Sequence, residues 1–231
     1  PTIAICTEPT DYQENPDVLF GNGTYLVVWS DWRNGFPAFN DIYANRVNPA
    51  TGIPQDGNGL LVHAHDYQQY SPALGFDGSQ FLVAWFDNFT TSGGIYDIWG
   101  ARLTASPYSL SDPLGLQLAT SGVTKYSPRL ASSGAGFLMA YEAQAPESLK
   151  VRIAGVTQSG ALGVPNDTVL GRSANAQQSP ALAFDGQNHF MVWEDARNGS
   201  FDIYGQRFRP DGTMIDLARE KERLGRELAK Q

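Results

Sequence analysis

The chain has one cysteine, Cys6, among its 231 residues. No intramolecular disulfide can form, so the fold is held without a covalent staple. Cys6 lies in the apolar run Ile3-Ala4-Ile5-Cys6 and reads as a small buried hydrophobe rather than a reactive thiol. Basic residues are also scarce: 16 Lys and Arg stand against 24 Asp and Glu, a net charge of −8. Nonspecific nucleic-acid and anionic-membrane binders need a basic surface, so both classes are excluded on that ground. No apolar run reaches the roughly 18 residues that a membrane helix requires, so no membrane span is expected. The sequence lacks Gly-x-Ser-x-Gly, a Walker phosphate loop, His-Glu-x-x-His and Cys-x-x-Cys, and with them the usual nucleophile, nucleotide, zinc and redox signatures. The first residue is Pro1 rather than Met. The chain is therefore expected to be a processed product or an excised segment, with any signal peptide already gone.

What the chain has in quantity is turn formers and aromatics: 24 Gly, 14 Pro and 12% Phe, Trp and Tyr, a composition suited to an all-β protein with many tight turns. They are arranged periodically. Ser71–Trp85 and Ser179–Trp193 follow one template, Ser-Pro-Ala-Leu-x-Phe-Asp-Gly and then an apolar stretch ending in Trp. Asn15–Trp29 and Ser127–Tyr141 are looser copies. The marker prolines Pro16, Pro72, Pro128 and Pro180 are spaced 56, 56 and 52 residues apart. A period this long, carrying strand-like text, indicates one supersecondary unit used four times. Within each unit, a strand after the proline leads to an Asn-Gly, Asp-Gly or Ser-Gly turn, whose positive φ angles suit a two-residue hairpin. An alternating strand ending in Trp29, Trp85, Tyr141 or Trp193 follows. A third strand opens at Asp41, Asp97 or Asp202, and a shorter fourth strand closes the unit, as in Leu60–His63.

Four short antiparallel strands per roughly fifty residues describe a propeller blade. Blades stacked around an axis bury faces that an isolated sheet would leave wet, and the recurrent Trp is expected in the layer between blades. The text Ser179-Pro180, Phe184-Asp185-Gly186, Val192-Trp193-Glu194-Asp195, Arg197-Asn198-Gly199 and Asp202-Ile203-Tyr204 resembles the TolB-type (TolB-like) β-propeller repeat. The resemblance covers all four repeats, weakest in the third. It implies the fold without implying one activity, since such blades serve scaffolds, peptidase gates and binding proteins. The expected domain is residues 1–212, a propeller of four four-stranded blades. Thr2–Cys6 sits before Pro16 much as Gly59–His63 sits before Pro72, so this N-terminal strand is expected to enter the last blade and close the ring. A larger ring or a pairing of two chains is the alternative. Residues 213–231 read as a C-terminal helix rich in helix formers, with Asp216 as N-cap and Leu217, Leu224 and Leu228 on one stripe.

Candidate sites were sought where the repeat breaks. The repeated acids Asp31, Asp87 and Asp195, and Asp41, Asp97 and Asp202, could hold Ca²⁺, but the third unit has Ala143 and Lys150 instead, so turn capping is the preferred reading. No cofactor is expected beyond that one candidate ion. His63 and His65 share a strand face beside Asp66, which is two ligands and not a zinc site. Glu142 and Glu194 hold equivalent places and could supply paired carboxylates. Aromatic insertions after the second strands bring Trp32, Phe36, Phe39 and Phe89 toward one rim, suited to sugar or peptide recognition.

On these grounds the leading expectation is a non-enzymatic binding or assembly module, extracellular, periplasmic or on the cell surface. Its aromatic rim would meet a glycan or protein partner, and the C-terminal helix could join copies. Two alternatives are a glycan-acting hydrolase or lyase with acids in the central funnel, and a structural subunit of a homo-oligomer or filament. The funnel reading requires unlike residues clustered at the axis.

Overall fold

A computed structural model describes residues 2–9, 12–34, 39–88, 94–120, 122–170 and 174–215. Among them every regular element is a strand, and the strands form four antiparallel sheets. The first sheet holds β1 (Gln13–Gly21), β2 (Thr24–Asp31), β3 (Asp41–Val47) and β4 (Leu60–His63) in that order. The second holds β5 (Gln69–Phe76), β6 (Phe81–Asp87) and β7 (Asp97–Ala105), with β8 (Tyr108–Leu110) and β9 (Leu116–Ala119) both on β7. The third holds β10 (Lys125–Ser132), β11 (Gly136–Gln144), β12 (Leu149–Thr157) and β13 (Thr168–Val169). The fourth holds β14 (Gln177–Phe184), β15 (His189–Asp195) and β16 (Asp202–Phe208). The first strands of successive sheets are neighbours, β1 beside β5, β5 beside β10 and β10 beside β14. The sheets therefore fan out from a common inner edge, an arrangement that is propeller-like.

Sheet follows sheet because the second strands are apolar on both faces. Leu26, Val28, Ile42 and Ala44 share one core with Phe81, Val83, Trp85 and Leu103 of the second sheet. Leu82, Ala84 and Ile98 on the opposite face share the next with Phe137, Met139 and Tyr141. Leu138, Ala140, Val151 and Ile153 share the third with Met191, Trp193 and Phe208. Three of the strand-ending aromatics lie in these layers, Trp85, Tyr141 and Trp193, whereas Trp29 belongs to none of them.

A polar latch accompanies each layer, at the residue three before the marker proline. The fully buried Gln69 meets His63 Nδ1 of the preceding sheet at 2.8 Å. Lys125 donates from Nζ to Asp97 Oδ1 at 2.8 Å and to the Val123 carbonyl at 2.9 Å. Gln177 donates to the Leu170 carbonyl and to Asp195 Oδ2, each at 2.8 Å. The acids after the second strands act as local clamps: Asp31 and Asp195 accept the indole N–H of the Trp two residues earlier and pair with Arg33 and Arg197. In both, hydrogen bonding overcomes burial and holds the carboxyl below its usual range.

One expectation at the chain ends is corrected. Residues 2–9 do not enter the fourth sheet, which has three strands among the described residues. They lie against the first sheet, because Asn45 Nδ2 donates to the Ile5 carbonyl at 3.0 Å and the Asn58 side chain accepts the Thr7 N–H at 3.2 Å. At the other end, Thr213–Ile215 folds back on β16 through an N–H bond from Ile215 to the Arg207 carbonyl at 3.0 Å. The rest of the expected C-terminal helix, 216–231, lies outside the described residues.

Lys125→Ala leaves Asp97 buried without its cation and should cost about 3–5 kcal/mol in urea denaturation. A loss under 1 kcal/mol would refute the latch. His189 is almost fully buried, with no hydrogen-bond partner on either ring nitrogen, where the equivalent positions carry Phe81 and Phe137. His189→Phe removes two unsatisfied polar atoms and should raise stability by about 1–3 kcal/mol in the same measurement.

Candidate functional site

Each innermost strand carries the same irregularity. The register with its neighbour slips between Glu14 and Asp17, Tyr70 and Ala73, Tyr126 and Arg129, and Gln178 and Ala181. The residue before each marker proline is left-handed: Asn15 at φ 53°, Ser71 at 47°, Ser127 at 49° and Ser179 at 54°. Proline disfavours the helical region for the residue before it, and a side chain at positive φ adds strain. Four such bulges at one level interrupt the two-residue alternation and re-aim the flanking side chains. Among the inner strands of the first three sheets lies a polar cavity of about 330 Å³, lined by Asn15, Asp17, Ser71 and Arg129 among others. Asp17 also ties the inner strands together, accepting the Leu74 N–H at 2.8 Å. Arg129 donates to the Pro128 carbonyl at 2.9 Å.

One residue outward from the bulges, the units stop resembling one another. The paired positions there are Glu14 with Ser30, Tyr70 with Phe86, Tyr126 with Glu142, and Gln178 with Glu194. Tyr70, Phe86 and Tyr126 join Tyr96 in one half-buried aromatic wall. Centroids are 5.4 Å apart for Tyr70–Phe86, 5.4 Å for Phe86–Tyr96 and 5.7 Å for Phe86–Tyr126. Trp32 extends the wall, 6.2 Å from Tyr70. Burial raises the Tyr70 and Tyr96 phenols, which stay protonated at neutral pH. Carboxylates flank the wall. Glu14 accepts the Trp32 indole N–H at 3.0 Å, Glu142 accepts the Ser179 N–H at 2.7 Å, and Glu194 accepts from Gln178 Nε2 at 2.8 Å. Flat faces beside hydrogen-bonded carboxylates suit a sugar, whose C–H face stacks while its hydroxyls are bound.

Of the four rim aromatics expected from sequence, Trp32 is in this wall. Phe39 stands apart, stacked 6.0 Å from Tyr67, which continues through His65 to His63 and Trp85. Phe36 and Phe89 lie outside the described residues. Tyr70, Phe86, Tyr96 and Tyr126 escaped the sequence reading. The usable signal was the position two before the marker proline, which reads Glu14, Tyr70, Tyr126 and Gln178 while its surroundings repeat. The His63–His65 pair is structural in its surroundings, since His63 is buried against Trp85 and bound to Gln69. Among the described residues no three His, Cys, Asp or Glu side chains converge as a metal would require.

No protein-family model matches the sequence, and no curated protein matches it. Solved structures do share its shape. An endo-arabinase from Bacteroides thetaiotaomicron superposes with a TM-score of 0.53 at 11% identity, over 82% of this chain and 72% of that one. An α-L-arabinofuranosidase from Lactobacillus brevis gives 0.53 at 14% identity, over 86% and 74%. An arabinanase from Bacillus subtilis gives 0.50 at 17% identity, over 85% and 73%. At these identities the likeness is one of fold. It corrects the TolB-type resemblance, because the neighbours are five-bladed propellers of glycoside hydrolases. The expectation of a non-enzymatic binding module, drawn from the repeat, the missing catalytic motifs and the aromatic insertions, is corrected as well, because these neighbours are glycoside hydrolases.

On the same rim, burial pushes the Asp41 carboxyl up to about 6, against hydrogen bonds from Asn34 and the His65 N–H. The folded state therefore holds this proton more tightly than the unfolded chain, and stability from this group falls as pH rises from about 4 to 6. Asp41→Asn should flatten that decline in denaturation curves taken across the interval. An unchanged slope would show that Asp41 is not its source.

Proposed function

We propose that the chain is a glycan-acting hydrolase, with its site at the mouth of the axial cavity. The observation that carries this reading is the aromatic wall of Trp32, Tyr70, Phe86 and Tyr126 with Glu14, Glu142 and Glu194 around it, at the one level where the repeat fails. The shared fold supports it, since the neighbours include an arabinanase and an arabinofuranosidase. The four sheets act as blades around this axis.

Glycoside hydrolysis needs two carboxyl groups across the scissile bond: one protonates the departing oxygen, and the other activates water or attacks the anomeric carbon. Glu142 and Glu194 are assigned this pair, from equivalent positions on adjacent sheets. The wall orients the sugar, with Trp32 also fixing Glu14 through its indole N–H.

Incubation with arabinan and a panel of plant and sialylated glycans should release reducing sugar. Glu142→Gln and Glu194→Gln should each lower kcat by at least about 100-fold, while Tyr70→Ala should mainly raise KM. No release from any glycan by the wild type, or full activity in both glutamine variants, would overturn the assignment.

A further inference from the structure

The three junctions between sheets bury polar side chains at one recurrent place, where the start of a third strand meets the latch of the next sheet. Asp41, Asp97 and Lys150 are equivalent there by register, opposite Asp31, Asp87 and Ala143 of their second strands. Gln69, Lys125 and Gln177 face them from the following sheets, each three residues before a marker proline. The backbone repeats as well. The Gln69 N–H reaches the Asn40 carbonyl at 3.3 Å, and the Lys125 N–H reaches the equivalent Tyr96 carbonyl at 2.8 Å.

Two of the three junctions hold an ammonium group at this place. In the second, Lys125 Nζ donates to Asp97 and to the Val123 carbonyl. In the third, the ammonium comes from the opposite side: Lys150 Nζ donates to the Ala174 and Asn175 carbonyls at 2.8 and 2.6 Å. Val123 and Asn175 stand alike, two residues before the latch. The two ammonium groups therefore share a carbonyl position, although they reach it from different sheets. Lys125 and Lys150 are 0% and 8% exposed, so neither charge is left to solvent.

The first junction has the acid without the cation. Asp41 is 3% exposed, and no Lys or Arg among the described residues pairs with it. Its carboxylate accepts from Asn34 Nδ2 at 2.5 Å and from the His65 N–H at 3.4 Å, both neutral donors. Gln69 cannot stand in for Lys125. Its side chain is one bond shorter and carries no charge. Its amide N–H is given to His63 Nδ1, since His63 is also bonded to the Leu114 backbone. That leaves Gln69 Oε1, on a fully buried side chain, without a partner. A buried carboxylate and a buried orphan oxygen are both costly until something positive meets them.

We infer that a potassium ion, a monovalent cation of about the ammonium's size, binds in the first junction on Asp41, Gln69 Oε1 and the Tyr67 carbonyl. Tyr67 stands two residues before its latch, as Val123 and Asn175 do. The donor set is oxygen alone, which suits a hard cation. One carboxylate balances one positive charge, and among the described residues no three His, Cys, Asp or Glu side chains converge to hold a divalent ion. The ion ties the first sheet to the second as Lys125 ties the second to the third.

Urea unfolding at about pH 8, where carboxylates are ionised, tests this with potassium chloride replacing tetramethylammonium chloride at constant ionic strength. The wild-type unfolding constant should fall about tenfold for each tenfold rise in potassium beyond its dissociation constant. Asp41→Asn keeps the shape of the side chain and should not respond. Gln69→Lys supplies the ammonium from the chain and should not respond either. Crystals of the wild type soaked in thallium(I) should show an anomalous peak touching Asp41 and Gln69. Equal wild-type stability in the two salts overturns the inference. So does a wild-type-like potassium response in either variant, or a thallium peak found only elsewhere.

Discussion

A sheet with apolar side chains on both faces has no stable existence in water, and that constraint governs this molecule. Each unit of three to five strands is too small to bury its own surface, so its stability resides in the layers between units. Trp85 illustrates the dependence. It belongs to the second sheet, yet it is buried by Leu26, Val28 and Val62 of the first. The hydrogen bonds of the strands fix geometry, but the apolar layers fix which sheet follows which. The latches at Gln69, Lys125 and Gln177 add direction to those layers, since each reaches a polar group of the preceding sheet.

The candidate site draws on the rigidity that this packing supplies. Most of its side chains come from positions two before the marker prolines and one after the strand-ending aromatics, and Phe86 among them is also anchored on the second inter-sheet layer. Tyr70, Phe86 and Tyr126 therefore take their places from strands fixed on other grounds, and Glu142 is oriented by the backbone of the next sheet through Ser179. Preorganisation of this kind lets a site bind sugar faces without first ordering a loop.

Much of the architecture was legible in the sequence because its causes are local. The Asn22-Gly23 turn forms as its text implies, both residues at positive φ between β1 and β2, whereas Asp77-Gly78 opens a longer connection in which Asp77 Oδ1 accepts the N–H groups of Ser79 and Gln80. The strand expected over Phe81–Trp85 forms, and because its text is an unbroken apolar run all five residues are buried. The N-terminal segment was misread because spacing alone cannot distinguish which sheet a lone strand joins. Asn45 and Asn58 decide that, through side-chain bonds at separations of 40 and 51 residues. The site was partly legible. Trp32 stood out as an aromatic in a loop insertion, whereas Tyr70 and Tyr126 sit inside strands, where an aromatic is ordinary. Only their meeting with Phe86 across two sheets gives them meaning.

The left-handed residue before each marker proline has a consequence for how such a molecule can change over time. It breaks each inner strand into two stretches that do not share an alternation. Downstream of Pro72, a substitution is felt at once by two layers of neighbouring side chains. Upstream, Tyr70 can become Glu, Gln or another Tyr, as the sister units record, while the sheet behind it keeps its registry. The kink separates a part of the chain under strict packing selection from a part free to vary. A repeat that would otherwise copy itself into uniformity thus keeps one place per unit where new chemistry can arise.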